Sequence, residues 1–400
     1  MPEIDPARVL ADLRELATFG AYGTGVHRPT FSADDTAARR WFAAKLGEAG
    51  LRGEIDGIGN VYGMSDAAGP TVLCGSHLES QNHAGWLDGA LGMIYALEAA
   101  RTLGPGVEVA GWCDEEGHFG SFIGSRSFVG LLPEDEIDRL SNRYDGRPLR
   151  DALAAVGLAG LPRRAVEPGR HKAFVEAHIE QGDTLVSSGR RIGVVTAIVA
   201  IWQYRLVATG EQNHAGTTSM TRRRDAGLAL VRLLASIDRS FPGIAGPRSV
   251  WTAGRMSFEP GGASIVPGRA EALFQFRDGD PGTLDRLDAE LRRLVDEANA
   301  AGPCPVALEV MGQSRPAAMD GALADAIEAA AEARVPGGSV RMPSGAGHDA
   351  QYLARAMPAA MMFVPSIGGI SHHPSENTSD DDIALGAAVY CDAVGRILAA

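Results

Sequence analysis

The sequence predicts an α/β protein with two domains, one of which is assembled from both ends of the chain. A chain of 400 residues is longer than a single hydrophobic core usually supports. Short apolar runs alternate with helical segments in the first half and again near the end, whereas the part between them is richer in strands. We therefore predict one domain over residues 1–194 and 313–400, and an inserted α+β domain over 195–312.

The first domain is predicted to open with helices and then to alternate strands and helices. Apolar and charged residues recur at helical spacing over residues 5–50, and the run from Asp34 to Gly50 is the clearest helix. Strands are predicted at 51–55, 59–64, 71–74, 107–113 and 172–177, a helix at 90–103, and a Pro- and Arg-rich helical insert at 131–168.

The inserted domain is predicted to combine strands with two helices. Its strands are expected at 194–199, 203–208, 270–277 and 305–310, and its helices at 224–236 and 283–300. The chain then returns to the first domain through a helix from Asp320, a strand at 360–364 and a last helix from Ile383.

Composition argues against several classes of partner. The net charge is −13 and no dense block of Lys or Arg occurs, which disfavours nucleic acid and anionic membranes. No apolar stretch approaches the ~20 residues of a membrane span, and no secretory signal is visible, so we expect a cytoplasmic protein. The four cysteines, Cys74, Cys113, Cys304 and Cys391, form no CxxC pair, and Cys74 and Cys113 are expected to be buried free thiols because they lie in apolar strand-like runs.

Potential metal ligands follow three of the predicted strands. His77 comes just after the strand at 71–74, with Asp88 eleven residues further on, and Glu115 and Glu116 follow the strand at 107–113. His178 follows the strand at 172–177. Because open α/β sheets place their sites at the carboxyl ends of strands, we expect these side chains to converge.

Each of these residues also has an ordinary structural interpretation. His178 could be a strand-end histidine with satisfied hydrogen bonds, the Glu115–Glu116 pair a solvated loop, and His372 half of a loop histidine pair. Taken together, however, three imidazoles and two carboxylates suit two divalent cations, Zn²⁺ best, with Mn²⁺, Co²⁺ or Ni²⁺ also possible. One of the adjacent glutamates could bind metal while the other takes a proton from water, which predicts hydrolysis of a carbonyl–nitrogen bond.

Eight short motifs occur in order from about residue 70 to the end of the chain. They are His77-Leu78-Glu79, Trp86-Leu87-Asp88-Gly89, Asp114-Glu115-Glu116-Gly117, Gly124-Ser125, His178-Ile179-Glu180-Gln181-Gly182, His214-Ala215-Gly216-Thr217-Thr218, Ser344-Gly345-Ala346-Gly347-His348-Asp349-Ala350 and Gly369-Ile370-Ser371-His372. With this set the chain resembles the hydantoinase/carbamoylase branch of the M20 metallopeptidase-like amidohydrolases. That branch includes N-carbamoyl-L-amino acid hydrolases, β-ureidopropionase and allantoate amidohydrolase.

The resemblance implies a catalytic domain with a mixed central sheet flanked by helices, and an inserted ferredoxin-like lid domain that also forms a homodimer. It implies that Asp88 bridges two metals, one held with His77 and His178 and the other with Glu116 and His372. Glu115 would then be the general acid/base.

Other motif positions are implied to contact the substrate. His214 would polarise the scissile carbonyl, Arg277 would bind a substrate carboxylate, and Gln181 would touch the substrate. Ser264, which replaces a usual asparagine, and main-chain groups of Gly345 and Ala346 would complete the pocket. The ordinary alternatives are a surface histidine in a hairpin loop for His214 and a strand-end ion pair for Arg277.

Several positions depart from the family pattern. Glu79 replaces the usual aspartate and is expected to orient His77 from one methylene further away. Trp86 and His118 stand where other residues are usual, and His83 is an additional imidazole that we expect to be a loop residue. The chemistry-bearing residues are intact and the pocket residues are altered, which predicts an unusual substrate.

We therefore predict a metal-dependent hydrolase of linear amides that cleaves the C–N bond of a small N-carbamoyl amino-acid-like acid. The alternatives are an allantoate- or ureidoglycine-type hydrolase, an N-acyl amino acid amidohydrolase or dipeptidase, and, remotely, a non-catalytic binding protein. A small carboxylate substrate and a second copy of the chain are the expected partners.

Overall fold

The computed structural model describes residues 3–400 and divides the chain into two compact units. The first comprises Met1–Ala197 and Ala318–Ala400, and the second is the continuous segment Ile198–Ala317. These divisions fall three and five residues after the positions expected from the sequence. None of the helices in the described part of the chain has the length and apolar character that crossing a bilayer requires.

The first unit contains most of the helices and strands. Its strands are β1 (Ala21–Tyr22), β2 (Gly25–Val26), β3 (Arg52–Ile55), β4 (Val61–Met64), β5 (Thr71–His77), β6 (Val107–Trp112), β7 (His171–Ile179) and β8 (Ile192–Ile198). Its first helices are α1 (Pro6–Leu16), α2 (Ala33–Glu48), α3 (Ala90–Leu103), α4 (Ile123–Phe128), α5 (Glu134–Ile137), α6 (Leu149–Ala155) and α7 (Thr184–Ser188).

The second unit contributes strands β9 (Ala200–Thr209), β10 (Asn213–His214), β11 (Val250–Glu259), β12 (Ile265–Val266), β13 (Arg269–Asp278) and β14 (Val306–Gln313), with helices α8 (Ala226–Ser240) and α9 (Pro281–Ala301). The chain then forms β15 (Ala317–Ala318), α10 (Gly321–Arg334), β16 (Ser339–Ser344), α11 (Ala350–Leu353), β17 (Ala359–Val364) and α12 (Asp380–Ala399).

The large sheet of the first unit is mixed, as predicted. Its strand order is β15-β8-β17-β7-β5-β6-β4-β3, and β16 also pairs with β8. The four central strands β17, β7, β5 and β6 are parallel, whereas β4, β3 and β8 run antiparallel to their neighbours. The carboxyl ends of the parallel strands therefore meet at one edge of the sheet, where open α/β sheets carry their sites.

Helix α3 fixes the position of the loop that precedes it. All residues from Ala90 to Ala100 are buried, so this part of the helix is enclosed on every side. A side chain on Gly92 would place its Cβ 2.2 Å from the carbonyl oxygen of Ala177 in β7, so only glycine allows the helix to lie this close to the sheet. The close contact brings the amino-terminal end of α3 against β7.

The second unit has a four-stranded antiparallel sheet in the order β11-β13-β9-β14. Along the chain its main elements follow the order β9, α8, β11, β13, α9 and β14, and β10 and β12 pair separately. Alternate residues of β13 are buried, and α8 and α9 pack with them around a separate core that includes Phe241, Phe274 and Phe276. The unit thus has its own apolar interior.

Four local predictions were wrong, and one strand was missed. His77 is the last residue of β5 rather than a residue beyond it, and His178 lies inside β7. The strand expected at 194–199 belongs to β8 and the first unit's sheet, and α12 begins at Asp380 because the Ser379 side chain accepts a hydrogen bond from the Asp382 amide. Strand β11 was missed because nearly all its residues are exposed, so it lacks the alternation of a half-buried strand.

Candidate metal and catalytic site

Four side chains that the sequence singled out converge around a fifth, Asp88, in the first unit. The Oδ1 atom of Asp88 lies 3.0 Å from His178 Nε2 and 3.5 Å from His77 Nε2. Its other oxygen, Oδ2, lies 3.1 Å from His372 Nε2, which is 3.7 Å from Glu116 Oε2. Asp88 therefore directs one oxygen to each of two groups of potential ligands.

Backbone carbonyls set the tautomers of two histidines. His77 Nδ1 lies 3.0 Å from the carbonyl oxygen of Glu79, and His178 Nδ1 lies 2.9 Å from that of Ile179. Because a carbonyl can only accept, each Nδ1 donates a proton and each Nε2 keeps its lone pair. His77 Nε2 is buried and has no hydrogen-bond partner among residues 3–400, as expected for a nitrogen that binds a cation.

The spacing of these donor atoms fits divalent cations. Two ligands at 2.0–2.2 Å from a tetrahedral ion lie roughly 3.4 Å apart. The distances from Asp88 to His77, His178 and His372 and from His372 to Glu116, 3.0–3.7 Å, are of this size, and the ligand atoms of each group lie within 4.8 Å of one another. Imidazole and carboxylate are also the ligands that such ions prefer. Both groups are thus suitable for holding a metal.

The two ligand groups differ in their exposure to solvent, and they share a charged Asp88. His77, Asp88 and His178 are buried, whereas nearly half of the His372 side chain is exposed. Burial opposes ionisation of Asp88, but the neighbouring histidines, His178 above all, favour its charged form and keep the pKa of Asp88 well below its usual range. A permanently charged carboxylate suits a bridging position.

A tight turn after β6 presents Glu115 and Glu116. Asp114 adopts a left-handed conformation, with φ of 58°, and its carboxylate accepts hydrogen bonds from the amides of His118, Phe119 and Gly120 at 2.7–2.9 Å. Four hydrogen bonds, including one from Thr30, hold this uncommon conformation in place. The turn therefore fixes the direction of both glutamates.

The two glutamates have different surroundings. Gln81 donates from its backbone to Glu116 Oε1 and from its side chain to Oε2, at 3.1 and 2.9 Å. Glu115 has its Oε2 3.9 Å from His77 Nε2, and burial together with Glu116 raises the pKa of Glu115 well above its usual range. Burial and Asp88 raise the pKa of Glu116 as well, so the two glutamates differ chiefly in that Gln81 restrains Glu116 as a ligand would be restrained.

Glu79 does not bind the imidazole that it was expected to orient. Its carboxylate lies 4.0 Å from His77 Nδ1, and the backbone carbonyl of Glu79 takes that hydrogen bond instead. Glu79 Oε1 accepts from the amide of Glu115 at 2.7 Å, and Oε2 accepts from Arg39 at 2.5 Å. The longer side chain therefore supports the backbone of Glu115.

Gln181 and the loop after β16 lie in the first unit. Gln181 adopts a left-handed conformation, with φ of 59°, and its side-chain amide donates to Asp88 Oδ2 at 3.0 Å. The Ser344 hydroxyl accepts from the Ala346 amide at 3.1 Å and lies 2.8 Å from His348 Nε2, which shapes the loop that contains Gly345. Gln181 thus contacts a candidate metal ligand directly.

The remaining unusual residues of the first unit are not members of the ligand groups found in residues 3–400. His83 is an exposed loop residue, as expected, and stacks on His27 with ring centroids 4.2 Å apart. His118 is buried and its Nδ1 lies 3.1 Å from the Thr30 hydroxyl, so it supports the turn at Asp114. Trp86 packs against the main core.

Three predicted residues lie in the second unit. His214 ends β10, the exposed Ser264 precedes β12, and Arg277 is the next-to-last residue of β13. The backbone carbonyl of Ser264, rather than its hydroxyl, accepts a hydrogen bond from the Ala215 amide at 2.9 Å. Arg277 Nη2 lies 3.4 Å from Gln275 Oε1, and partial burial lowers the pKa of Arg277.

Sequence reasoning missed Glu376, which organises the ligand loops. Its carboxylate accepts from the amides of Leu87 and Asp88 at 3.2 and 3.1 Å and from the Ser371 hydroxyl at 2.9 Å. Burial and the nearby charge of Asp88 raise the pKa of Glu376 to about 7. The only signal was its position four residues after His372, which does not distinguish it from other loop acids.

Comparison with known proteins identifies the family of the chain. The model of peptidase family M20/M25/M40 matches residues 81–396. An N-carbamoyl-L-amino-acid amidohydrolase from Paenarthrobacter aurescens is 33% identical over 396 residues, which cover 96% of this chain and 95% of the relative. An allantoate amidohydrolase from Escherichia coli is also 33% identical, with 93% of each chain covered.

A solved structure is similar over the whole length. The crystal structure of an amidase of the hydantoinase/carbamoylase family from Burkholderia phymatum is 46% identical, with a TM-score of 0.93 and coverage of 100% of this chain and 99% of that one. The chain therefore belongs to the M20/M25/M40 peptidase family and, within it, to the hydantoinase/carbamoylase branch. The predictions of this family and of a hydrolase of linear amides are thereby confirmed.

Proposed function

We propose that the protein is a metal-dependent amidohydrolase that cleaves the C–N bond of a small N-carbamoyl amino-acid-like acid. The observation that carries this proposal is the placement of Asp88 between two ligand groups, with Glu115 beside His77. The similar proteins named as N-carbamoyl-L-amino-acid amidohydrolases support the substrate class.

His77, Asp88 and His178 would hold one divalent cation, and Asp88, Glu116 and His372 the other. Zn²⁺ suits these ligands best, with Mn²⁺, Co²⁺ or Ni²⁺ as alternatives. Such ions, when bound, polarise a carbonyl group and lower the pKa of water.

Glu115 would act as the general base and acid. It would take a proton from the attacking water and return it to the departing nitrogen, a cycle that suits a buried carboxyl group with a raised pKa. Addition of water across the C–N bond of a ureido group gives the free amine together with ammonia and CO₂.

Residues of the second unit would complete the chemistry. His214 Nδ1 accepts hydrogen bonds from the amides of Gly216 and Thr217 at 3.1 and 3.2 Å, so in the neutral ring Nε2 carries the proton. That Nε2–H would donate to the substrate carbonyl oxygen as negative charge develops. Arg277 would bind the substrate carboxylate.

Four further groups would line the substrate pocket. They are Gln181, Ser264 and the main chain of Gly345 and Ala346.

The second unit would act as the lid and form the homodimer. The order of strands and helices in the second unit is that of a ferredoxin-like domain, which supports the lid assignment. The cytoplasmic location stays a prediction.

An allantoate- or ureidoglycine-type hydrolase is the second candidate, because allantoate amidohydrolases are among the relatives at 31–33% identity. A substrate panel separates the candidates. We expect ammonia from N-carbamoyl amino acids, whereas ammonia from allantoate alone, or free acid from N-acyl amino acids, would favour the alternatives. No turnover of any member in the metal-loaded enzyme would favour the non-catalytic binding protein.

Substitution of Glu115 by Gln tests the assigned chemistry. We expect kcat to fall by roughly 10²–10⁴-fold because no group remains to move the proton, while metal content by elemental analysis is unchanged. Glu116→Gln is the matched control, since it should lose metal as well as activity. Normal turnover in the Glu115→Gln variant would refute the role of Glu115.

A further inference from the structure

Hydrogen bonds between His214 and the next residues of the chain stabilise the turn that carries it. The imidazole folds back onto the amides of Gly216 and Thr217, and the His214 carbonyl accepts from the Thr218 hydroxyl at 2.7 Å. A Cβ on Gly216 would lie 3.3 Å from the ring, so the absence of a side chain there allows this approach. These contacts define which ring nitrogen faces outward.

His214 itself is exposed, and the short pairing of β10 with β12 is only two residues long. Such a turn needs support from elsewhere if it is to keep one conformation. Exposed loops with few buried contacts otherwise open at little free-energy cost. The support must reach the segment between residues 215 and 218, because that is where the ring's hydrogen-bond donors lie.

Arg223 is placed to give this support. Its Nη2 atom donates to the carbonyl oxygens of Ala215 and Thr218, at 2.5 and 3.1 Å, and so closes the two ends of the turn with one guanidinium group. The side chain is half-buried, whereas its neighbours Arg222 and Arg224 are exposed. Only the middle one of three consecutive arginines is therefore directed into the turn.

We propose that Arg223 is a positioning residue that fixes the 215–218 turn and thereby keeps His214 with Nδ1 as acceptor and Nε2–H as donor. The inference rests on the proposed function, because it matters for catalysis only if His214 polarises the scissile carbonyl. Arg223 acts through His214 and contacts neither substrate nor metal in this role.

A guanidinium group is suited to this task because it presents several donors in a fixed plane and stays charged over the whole physiological pH range. Its two acceptors are main-chain carbonyls, so the contact does not depend on the side chains of the turn. Loss of Arg223 would release both carbonyls and let the 216 and 217 amides move away from the ring. The ring would then exchange between tautomers and orientations.

The test compares Arg223→Ala with Arg222→Ala in the full-length, metal-loaded protein. In ¹⁵N-histidine-labelled protein, the His214 ring signals (assigned by their absence in His214→Ala) should report a neutral ring with Nε2–H in the unchanged protein. They should report averaged tautomers in Arg223→Ala and no change in Arg222→Ala. Arg223→Lys should restore part of the ordered signal.

Activity adds a second readout. We expect Arg223→Ala to lower kcat by about 10- to 100-fold with a smaller change in KM, because the donor is misplaced in the transition state. In a His214→Ala background the Arg223→Ala substitution should have no further effect on kcat, whereas a purely structural role would lower kcat or stability again. Circular dichroism establishes that each variant is folded.

The outcomes distinguish this inference from the proposed function. Unchanged ring signals in Arg223→Ala would overturn the inference even if His214→Ala is inactive. Full activity of His214→Ala, together with altered ring signals in Arg223→Ala, would refute the catalytic role of His214 and leave the positioning role of Arg223 intact. An equal loss of kcat on removing Arg223 with and without His214 would also overturn the inference.

Discussion

At the scale of single residues, Glu79 shows how one methylene group changes the partners of a side chain. The glutamate reaches Arg39 and the amide of Glu115 instead of hydrogen-bonding to the His77 imidazole. Arg39 also donates to Asp35 at 2.9 Å, and all three charged side chains are buried. A chain of buried charges thus connects α2 to the turn that carries Glu115.

Substitution of Glu79 by Asp tests this connection. The shorter carboxylate keeps the charge but cannot satisfy both Arg39 and the Glu115 amide, so we expect a loss of about 1–3 kcal/mol in the free energy of unfolding. We also expect a lower kcat with unchanged metal content, because Glu115 loses its backbone support. Urea unfolding measures the first effect, and a stability equal to that of the unchanged protein would contradict it.

The ligand residues could be predicted from sequence, but their contacts could not. His77, Asp88, Glu116, His178 and His372 lie in motifs whose residue types and order already point to metal chemistry. The partner of Glu79 depends on where Arg39 lies in three dimensions, forty residues earlier in the chain. Glu376 was missed for the same reason, because the donors to its carboxylate are backbone amides that no residue pattern reveals.

At the scale of elements, the parallel strands β5, β6 and β7 bring three separate motifs to one edge of a sheet. The apolar runs identified these strands because they are buried on both faces. Strand β11 has the opposite character, since it lies at the edge of its sheet and is mostly exposed. Buried strands were therefore predictable from hydrophobicity, and an exposed edge strand was not.

An ion cluster joins the start of β7 to β6. Glu108 is fully buried and accepts from Arg170 and from the Thr71 hydroxyl, and it lies 2.8 Å from His171 Nε2. Burial raises the pKa of Glu108, but these hydrogen bonds prevail and lower it to about 2. The carboxylate is thus ionised in the folded protein at pH values where it would be protonated in the unfolded chain.

This shift predicts how stability depends on pH. Because the folded pKa of Glu108 is depressed, its contribution is complete above the ordinary glutamate pKa of about 4.5 and is lost as pH falls toward 2. The contribution is about 3 kcal/mol at pH 7. Glu108→Gln should lower stability at pH 7 and flatten the dependence between pH 5 and 2.

Urea unfolding at several pH values measures this effect, and Glu167→Gln, which alters an exposed acid near the same strand, is the control. A Glu108→Gln variant whose stability still falls as steeply as that of the unchanged protein would show that other carboxylates account for the acid sensitivity.

At the scale of the whole molecule, the chain forms two units with separate cores. The sequence predicted an insertion because strand-rich segments replace the alternating pattern, but it placed the boundaries a few residues early. The reason is that β8 has the composition of the inserted strands yet pairs with β17 and β16 in the large sheet. Pairing partners, rather than composition, decide to which unit a boundary strand belongs.

The segment Ile198–Ala317 should fold on its own. It is continuous in sequence, and its core residues, such as Leu287 and Leu291 of α9 and Phe276 of β13, are buried among residues of the same unit. Expressed alone, it should unfold cooperatively in urea with a free energy of about 5–10 kcal/mol. A non-cooperative transition, or a circular dichroism spectrum without helix and strand, would contradict this expectation.

The chain leaves the large sheet through β8 and returns to it through β15, and these two strands are neighbours. An ancestral sequence could therefore acquire or discard the whole intervening module in one recombination event, since the two splice points already meet and a short turn could rejoin them. The loops that carry the candidate metal ligands and Glu115 follow other strands, so such an exchange would leave their structure unchanged.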